Sequence, residues 1–501
     1  MSGPSAILAI DQGTSSSRAM LFDRDGRPLA QVQREFEQHF PQSGWVEHDP
    51  EDIWRDTVAV AKQALAEAGL GAGEVASIGI ANQRETTLIW DRATGQAIHK
   101  AIVWQDRRTA GICAELQEAG AGPLFSEKTG LRLDPYFSGT KLTWSFRNDA
   151  GLLRRAREGA VAAGTMDSWL VWKLTGGRSH VTDFTNASRT LLFDIDELRW
   201  DEELTEKLAV PGGILPTVLP SRAPFGVTDA TVLGAEVPIL GVAGDQQAAV
   251  FGHALSAKGE AKNTYGTGCF LLVHAGDERV KSATGMLGTL AAGSSEGHAE
   301  YLLEGSVFVA GAAVQWLRDE LDVIDHAPDV EALANSVDDT GGVAFVPAFT
   351  GLGAPDWDPH ARGAILGLTR GTKKAHIARA ALEAIALSSA ELLTAMVTDL
   401  GVPISTLRVD GAASENNLLM QMQADFAGVA VERPREIETT ALGAAYLAGI
   451  ELGLWADVDE VASLNPTVQT FEPSIGDDER AEKLAFWRGA VVRTLGWAQD
   501  A

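Results

Sequence analysis

The stretch ILAIDQGTSSSRAMLF, residues 7–22, has a weaker echo at AKNTYGTGCFLLVH, residues 261–274. Each reads as an apolar strand, a Gly-Thr turn and a second apolar strand. A second pair, VPILGVAGDQQAAVFG (237–252) and LRVDGAASENNLLMQMQ (407–423), runs strand, acid-and-glycine turn, amide-bearing helix. An internal repeat constrains a chain strongly, because each copy is one structural unit with its own sheet to cover. The expectation is two related α/β domains around a central cleft, 1–252 and 253–501. Segments between the repeats keep the α/β alternation. EDIWRDTVAVAKQALAEAG (51–69) has helical apolar spacing and stops at a glycine, and VASIGIANQRETTLIWD (75–91) reads as strand, polar turn, strand. AHIARAALEAIALSSAELLTAMV (375–397) predicts a long apolar helix.

Charge and cysteine usage narrow the function classes. Lys and Arg total 41 against 68 Asp and Glu, a net charge of −27 over 501 residues. So acidic a chain repels nucleic acid and anionic membranes, and neither is an expected partner. The two cysteines, Cys113 and Cys269, are too few for a disulfide framework or a thiolate zinc site. The start MSGPSAILAIDQG lacks the basic and apolar regions of a secretory signal. No uninterrupted apolar run approaches the roughly 18 residues of a membrane span. The expected setting is the cytoplasm, with no integral membrane association.

Several short segments carry candidate chemistry. In DQGTSSSR (11–18), amides and hydroxyls of a Gly/Thr/Ser turn can hold an anion, with Thr14, Ser15, Ser16 and Arg18 as donors. Asp11 is misplaced for phosphate but suits a divalent cation that bridges carboxylate and phosphate. The turn equally fits a surface hairpin in which Gly13 supplies a positive φ. Asp245 follows a buried-looking strand, where ligands gather in α/β folds, and fits both a general base and a helix N-cap. Arg84 and Glu85 are adjacent, as in a solvated turn, yet could also grip neighbouring hydroxyls of a polyol. Trp104 reads as core or interface, and Tyr136 as a ring wall or a phenolic hydrogen bond. YGTGCF (265–270) repeats the Gly-Thr turn, and DGAASENN (410–417) offers small residues that let a flat base approach the backbone.

Taken in order, these segments resemble the FGGY carbohydrate kinases from about Ile7 to Trp497, most of all the members that act on glycerol. YFSGTKLTW (136–144) is similar to the family's first signature, and GWVEHDP (44–50), QDRR (105–108), EGSVFVAGAAVQWLRD (304–319), PAFTGLGAP (347–355) and WDPHARGAILGLTRGT (357–372) are also family-like. The resemblance implies two actin-like ATPase domains of ribonuclease-H-like fold, with ATP and Mg²⁺ in the cleft. It implies glycerol contacts at Arg84, Glu85, Trp104, Tyr136, Asp245, Gln246 and Phe270, with Asp245 as catalytic base. Nucleotide contacts are implied at Thr14, Ser15, Ser16, Arg18, Thr267, Gly311, Gln315, Ala412 and Asn416, and a metal contact at Asp11. It also implies self-association as a homodimer or homotetramer. Other readings are another FGGY kinase, for a pentulose, pentitol or gluconate, and an actin-like ATPase switch.

The sequence departs from the family in three places. Ala412 stands where many relatives have the second glycine of a pair. The loop DATVLGAEVP (229–238) lacks the basic segment by which some bacterial members bind fructose 1,6-bisphosphate, and Glu236 stands where an arginine would be expected. That region also contains no histidine to accept a regulatory phosphate. Neither form of control is therefore expected.

Overall fold

The structure, a computed structural model, describes residues 6–498. The chain divides into two compact units: Met1–Ser256, Gly288–Tyr301 and Thr439–Leu464 form the first, and Ala257–Leu287, Leu302–Glu438 and Asn465–Ala501 the second. The single cut expected near residue 253 marks only the first crossing, because the chain returns to the first unit twice.

Six strands form the main sheet of the first unit, in the order Arg222–Val227, Pro238–Gly244, Val75–Asn82, Ala6–Gln12, Ser16–Phe22, Pro28–Glu35. Ala6–Gln12 pairs antiparallel with Ser16–Phe22, which pairs antiparallel with Pro28–Glu35. On its other side Ala6–Gln12 runs parallel to Val75–Asn82, which runs parallel to Pro238–Gly244. Arg222–Val227 closes that edge antiparallel to Pro238–Gly244.

Strand periodicity explains the two faces. Leu8, Ile10, Ala19 and Leu21 point into one core layer with Ile53, Val60 and Ala64 of the helix Pro50–Glu67. Ile7, Ala9, Met20 and Phe22 point into the other, against the helix Thr439–Leu452. That helix, TTALGAAYLAGIEL, approaches so closely that its neighbours have no room for a Cβ. A Cβ on Gly79 would lie 2.0 Å from the Ala444 carbonyl oxygen, and one on Gly443 would lie 1.8 Å from that of Ala248. Glycine and alanine thus permit backbone-to-backbone packing with the sheet and with the helix Asp245–Gly252.

In the second unit, Cys269–Gly276, Ala261–Tyr265, Thr406–Asp410, Ala430–Pro434 and Thr467–Phe471 lie side by side. Their senses are antiparallel, parallel, parallel and antiparallel, the same as from Ser16–Phe22 across to Arg222–Val227 in the first unit. The duplicated strand–turn–strand is therefore a topological repeat. The second sequence echo is not. Pro238–Gly244 corresponds by position to Ala430–Pro434, and Thr406–Asp410 to Val75–Asn82. Strand followed by helix recurs at every parallel crossover, so similar strings arose at non-equivalent places. Among the described residues one helix, Lys374–Leu400, is long and apolar enough to cross a membrane, and 72% of its most apolar window is buried. It packs on Asn417–Ala427 within the second unit, as a core helix does.

Candidate active site

Parallel register sets the site. Gln12 and Gly244 both align with Asn82, so three neighbouring strands end level with one another. Asp11, the segment Gln83–Glu85 and Asp245 consequently gather at the carboxyl edge of the sheet, where side chains from separate crossovers can meet.

Arg84 is the hub. Its Nε lies 3.3 Å from Asp245 Oδ1 and 3.7 Å from Glu85 Oε1. Its terminal nitrogens donate to Gln247 Oε1 at 3.3 Å and Tyr136 Oη at 3.5 Å. Arg84 and Glu85 are each only 2% exposed, so the solvated-turn alternative is excluded. Gly244 makes the arrangement possible, because a Cβ there would lie 2.5 Å from Arg84 Cγ. Glu85 is held in turn by Arg189, whose Nε donates to Oε1 at 2.7 Å. Tyr136 and Trp104 meet edge to face with centroids 5.5 Å apart.

Asp245 is the first residue of its helix, and Gly244 occupies the cap position. The N-cap alternative therefore falls, and the Asp245 carboxylate instead accepts from the Gln246 backbone N–H at 2.7 Å. Burial pushes its pKa up to about 6; Arg84 opposes that rise, while Glu85 and Asp11 add to it. A carboxylate poised near neutrality can accept a proton from a hydroxyl at physiological pH. Asp11 is also raised by burial, with Arg18 across the hairpin lowering it from 3.9 Å.

The hairpin tip differs from expectation. Gly13 does not adopt positive φ. Its N–H donates to the Ser16 carbonyl at 2.9 Å, leaving Thr14 and Ser15 to form the tip. Thr14 Oγ1 accepts from the Trp104 indole at 2.8 Å, which couples the tip to the aromatic wall. Ser15 accepts from the Phe36 N–H through its carbonyl, and Ser16 Oγ accepts from Gln33 Nε2. Arg18 donates to Gln33 Oε1 at 2.9 Å. The tip is braced from three sides.

The second unit gathers its own candidates. Thr264 pairs with Asp410 in parallel register, so the turns after the two strands emerge together. The N–H groups of Gly311 and Ala312 donate to the carbonyls of Gly266 and Thr267 at 3.0 and 3.1 Å. A Cβ on Gly311 would meet the Gly266 oxygen at 2.5 Å, so only glycine lets this helix start so close. Gln315 lies exposed one turn later, and Ala412 is exposed after the sharp turn at Gly411, φ 82°. Asn416 Oδ1 is committed to capping the helix Asn417–Ala427 through the Leu419 N–H at 2.9 Å. Phe270 lies on the strand Cys269–Gly276 of this unit, whereas the other six glycerol-contact candidates belong to the first.

Residues 6–252 match the FGGY family of carbohydrate kinases, N-terminal domain, and residues 261–452 match the C-terminal domain of that family. The chain belongs to the FGGY family of carbohydrate kinases. It is 55% identical to the glycerol kinase of Symbiobacterium thermophilum over 99% of both chains. It is 53% identical to glycerol kinase 2 of Thermotoga maritima, over 98% of this chain and 99% of that one. Among solved structures it is similar to Plasmodium falciparum glycerol kinase with ADP, at TM-score 0.90 and 35% identity over 99% of both chains. A gluconate kinase from Lactobacillus acidophilus shares the fold at TM-score 0.86 and 22% identity, covering 98% of this chain and 99% of that one. The family places the two sheets in the actin-like, ribonuclease-H-like class, in agreement with the repeated strand order.

Sequence reasoning missed Lys141, Arg189 and Gln247, which contact the candidate residues directly. Lys141 stood inside the quoted YFSGTKLTW and Gln247 inside GDQQAAVFG. Arg189 follows a short buried helix, Phe184–Ala187, with no local pattern to single it out.

Proposed function

We propose that this chain transfers the γ-phosphoryl group of ATP to a terminal hydroxyl of glycerol, giving sn-glycerol 3-phosphate and ADP. The observation that carries the reading is the contact of Arg84 with Asp245, Glu85 and Tyr136 together, a compact array of donors and acceptors against a Trp104–Tyr136 wall. Such an array suits a small neutral polyol. The names and near-full-length coverage of the glycerol kinase relatives support that choice of substrate.

In the proposed step, Asp245 accepts the hydroxyl proton as the oxygen forms its bond to the γ-phosphorus. The bond from that phosphorus to the β-phosphate bridging oxygen breaks, and ADP carries away the electron pair. Arg84 holds the Asp245 and Glu85 carboxylates in place, and Gln246 fixes Asp245 through its amide. Thr14, Ser15, Ser16 and Arg18 are assigned to the phosphates, and Thr267, Gly311, Gln315, Ala412 and Asn416 to the rest of the nucleotide. Phe270 is assigned to the polyol.

The described residues contain no group of three or more His, Cys, Asp or Glu able to hold a metal. Mg²⁺ takes one or two carboxylates and completes its shell with phosphate oxygens and water, and the buried Asp11 carboxylate is a donor of that kind. Asp11 would hold it, and the ion would offset charge on the phosphates. The reading sets the reaction in the cytoplasm, where ATP is available.

A coupled ADP-release assay across glycerol, xylulose and gluconate tests the proposal. Glycerol should give the highest kcat/KM. A preference for another polyol would assign the chain to another FGGY activity, and ATP turnover indifferent to any polyol would point to a nucleotide switch.

A further inference from the structure

Two cations lie wholly buried beneath the glycerol-contact candidates, Lys141 and Arg189, both 0% exposed. Each engages both Glu85 and Tyr136, by different atoms. Lys141 Nζ donates to the Glu85 carbonyl at 3.0 Å and to the Tyr136 carbonyl at 2.6 Å. Arg189 donates to the Glu85 carboxylate at 2.7 Å, and its guanidinium carbon sits 5.6 Å from the Tyr136 ring centroid. Glu85 leaves the end of the strand Val75–Asn82, whereas Tyr136 precedes the helix Ser138–Asn148 that carries Lys141. These segments are 51 positions apart in sequence, so their spacing is set by tertiary contacts alone.

We infer that Lys141 is a positioning residue: its ammonium ties the Glu85 and Tyr136 backbones together and so fixes the distance between the two side chains that meet the polyol. The inference rests on the glycerol reading above. Ser138 assists, donating to the same Glu85 carbonyl at 3.1 Å. Arg189 sets the complementary element, the orientation of the Glu85 carboxylate. Its ionic partner explains why a buried arginine is tolerated there. Among the described residues Lys141 has no carboxylate within ion-pair distance; burial pushes its pKa down to about 7, and only more distant acids oppose that shift. A buried lysine without a paired carboxylate is costly to retain. Both its hydrogen bonds go to substrate-contact residues, which gives that cost a functional purpose.

The distinction from a general structural role is kinetic. A merely structural lysine, when lost, lowers the folded fraction and hence the apparent kcat for every substrate, with KM of the surviving molecules unchanged. A clamp on Glu85 and Tyr136 instead raises KM for glycerol and leaves KM for ATP alone. For Lys141→Met we expect glycerol KM to rise about tenfold, the usual order of loss when one or two hydrogen bonds to a ligand are misaligned. The change in kcat should be smaller than that in KM, with ATP KM within about twofold. Because Lys141→Met leaves two buried carbonyls short of a donor and so risks misfolding, Ser138→Ala is run beside it. It removes one of the three donors to the Glu85 carbonyl, the others being Lys141 Nζ and Thr87 Oγ1, and glycerol KM should rise about threefold.

The decisive comparison is glycerol KM against ATP KM in whichever variants fold by near-ultraviolet circular dichroism. Unchanged glycerol KM in a folded Lys141→Met overturns the inference, as does unchanged KM in Ser138→Ala should Lys141→Met fail to fold. A wild type without glycerol-dependent turnover sinks the functional reading and the clamp together, whereas a normal wild type with unaffected variants sinks the clamp alone.

Discussion

Replacing Asp245 with asparagine should separate stability from turnover in opposite directions. The carboxylate is raised from 3.8 to about 6, first by burial and then by Glu85 and Asp11, with Arg84 opposing. Such a group favours folding fully when protonated and loses that contribution as pH rises through about 6. The shift corresponds to about 3 kcal/mol at most. The side chain is 27% exposed, so solvent screening reduces the gain to about 2 kcal/mol. Asparagine keeps the shape without the charge and should recover that amount above pH 6. For a unit of this size the thermal midpoint should rise by roughly 3–5 °C. Turnover should meanwhile fall by about 10²–10⁴, the usual cost of losing a positioned base. Thermal melts of wild type and Asp245→Asn at pH 4 and pH 7.5 provide the test. The variant's advantage should be present at pH 7.5 and mostly gone at pH 4, where the wild-type carboxyl is protonated in the folded state and about 40% protonated in the unfolded one. A midpoint at pH 7.5 equal to or below wild type would refute the electrostatic argument. Near-normal glycerol turnover would refute the role of the base.

Three further outcomes follow from particular contacts. Asp11→Asn should weaken metal-dependent turnover far more than glycerol binding, read from a Mg²⁺ titration of rate beside calorimetric glycerol affinity; equal loss of both would remove Asp11 from the metal. Gly443→Ala places a Cβ 1.8 Å from the Ala248 carbonyl oxygen, so two helices must separate, and denaturant unfolding should show a loss of about 3 kcal/mol. Fructose 1,6-bisphosphate at millimolar concentration should leave the rate unchanged, because Glu236 is an exposed carboxylate where a cation would be needed; strong inhibition in the same assay would contradict this.

Much of the site was legible because its residues follow strands, and strands announce themselves by short apolar runs. Asp11 and Asp245 each stand at or just beyond such a run, which made them candidates before any contact was known. Their partnership was not legible. Adjacent Arg84 and Glu85 look like a solvated turn, and only the parallel register with Ala6–Gln12 and Pro238–Gly244 buries them beside Asp245. The turn glycine illustrates the converse. Gly13 suggested a positive φ, whereas the bond from its N–H to the Ser16 carbonyl moved the tip to Thr14 and Ser15.

The elements, the α/β class and the first duplicated hairpin can be read along the chain, because strand and helix periodicity and turn chemistry are local. The family resemblance also runs along nearly the whole chain. Which strands are equivalent, that Thr439–Leu452 returns to the first sheet, and that Lys141 and Arg189 both reach Glu85 and Tyr136 emerge only from the folded chain. Those facts depend on register and on close approach between segments tens to hundreds of residues apart. Neither quantity leaves a periodic mark on the chain. The glycines that permit the approach, Gly79, Gly244 and Gly443, look in sequence like any others.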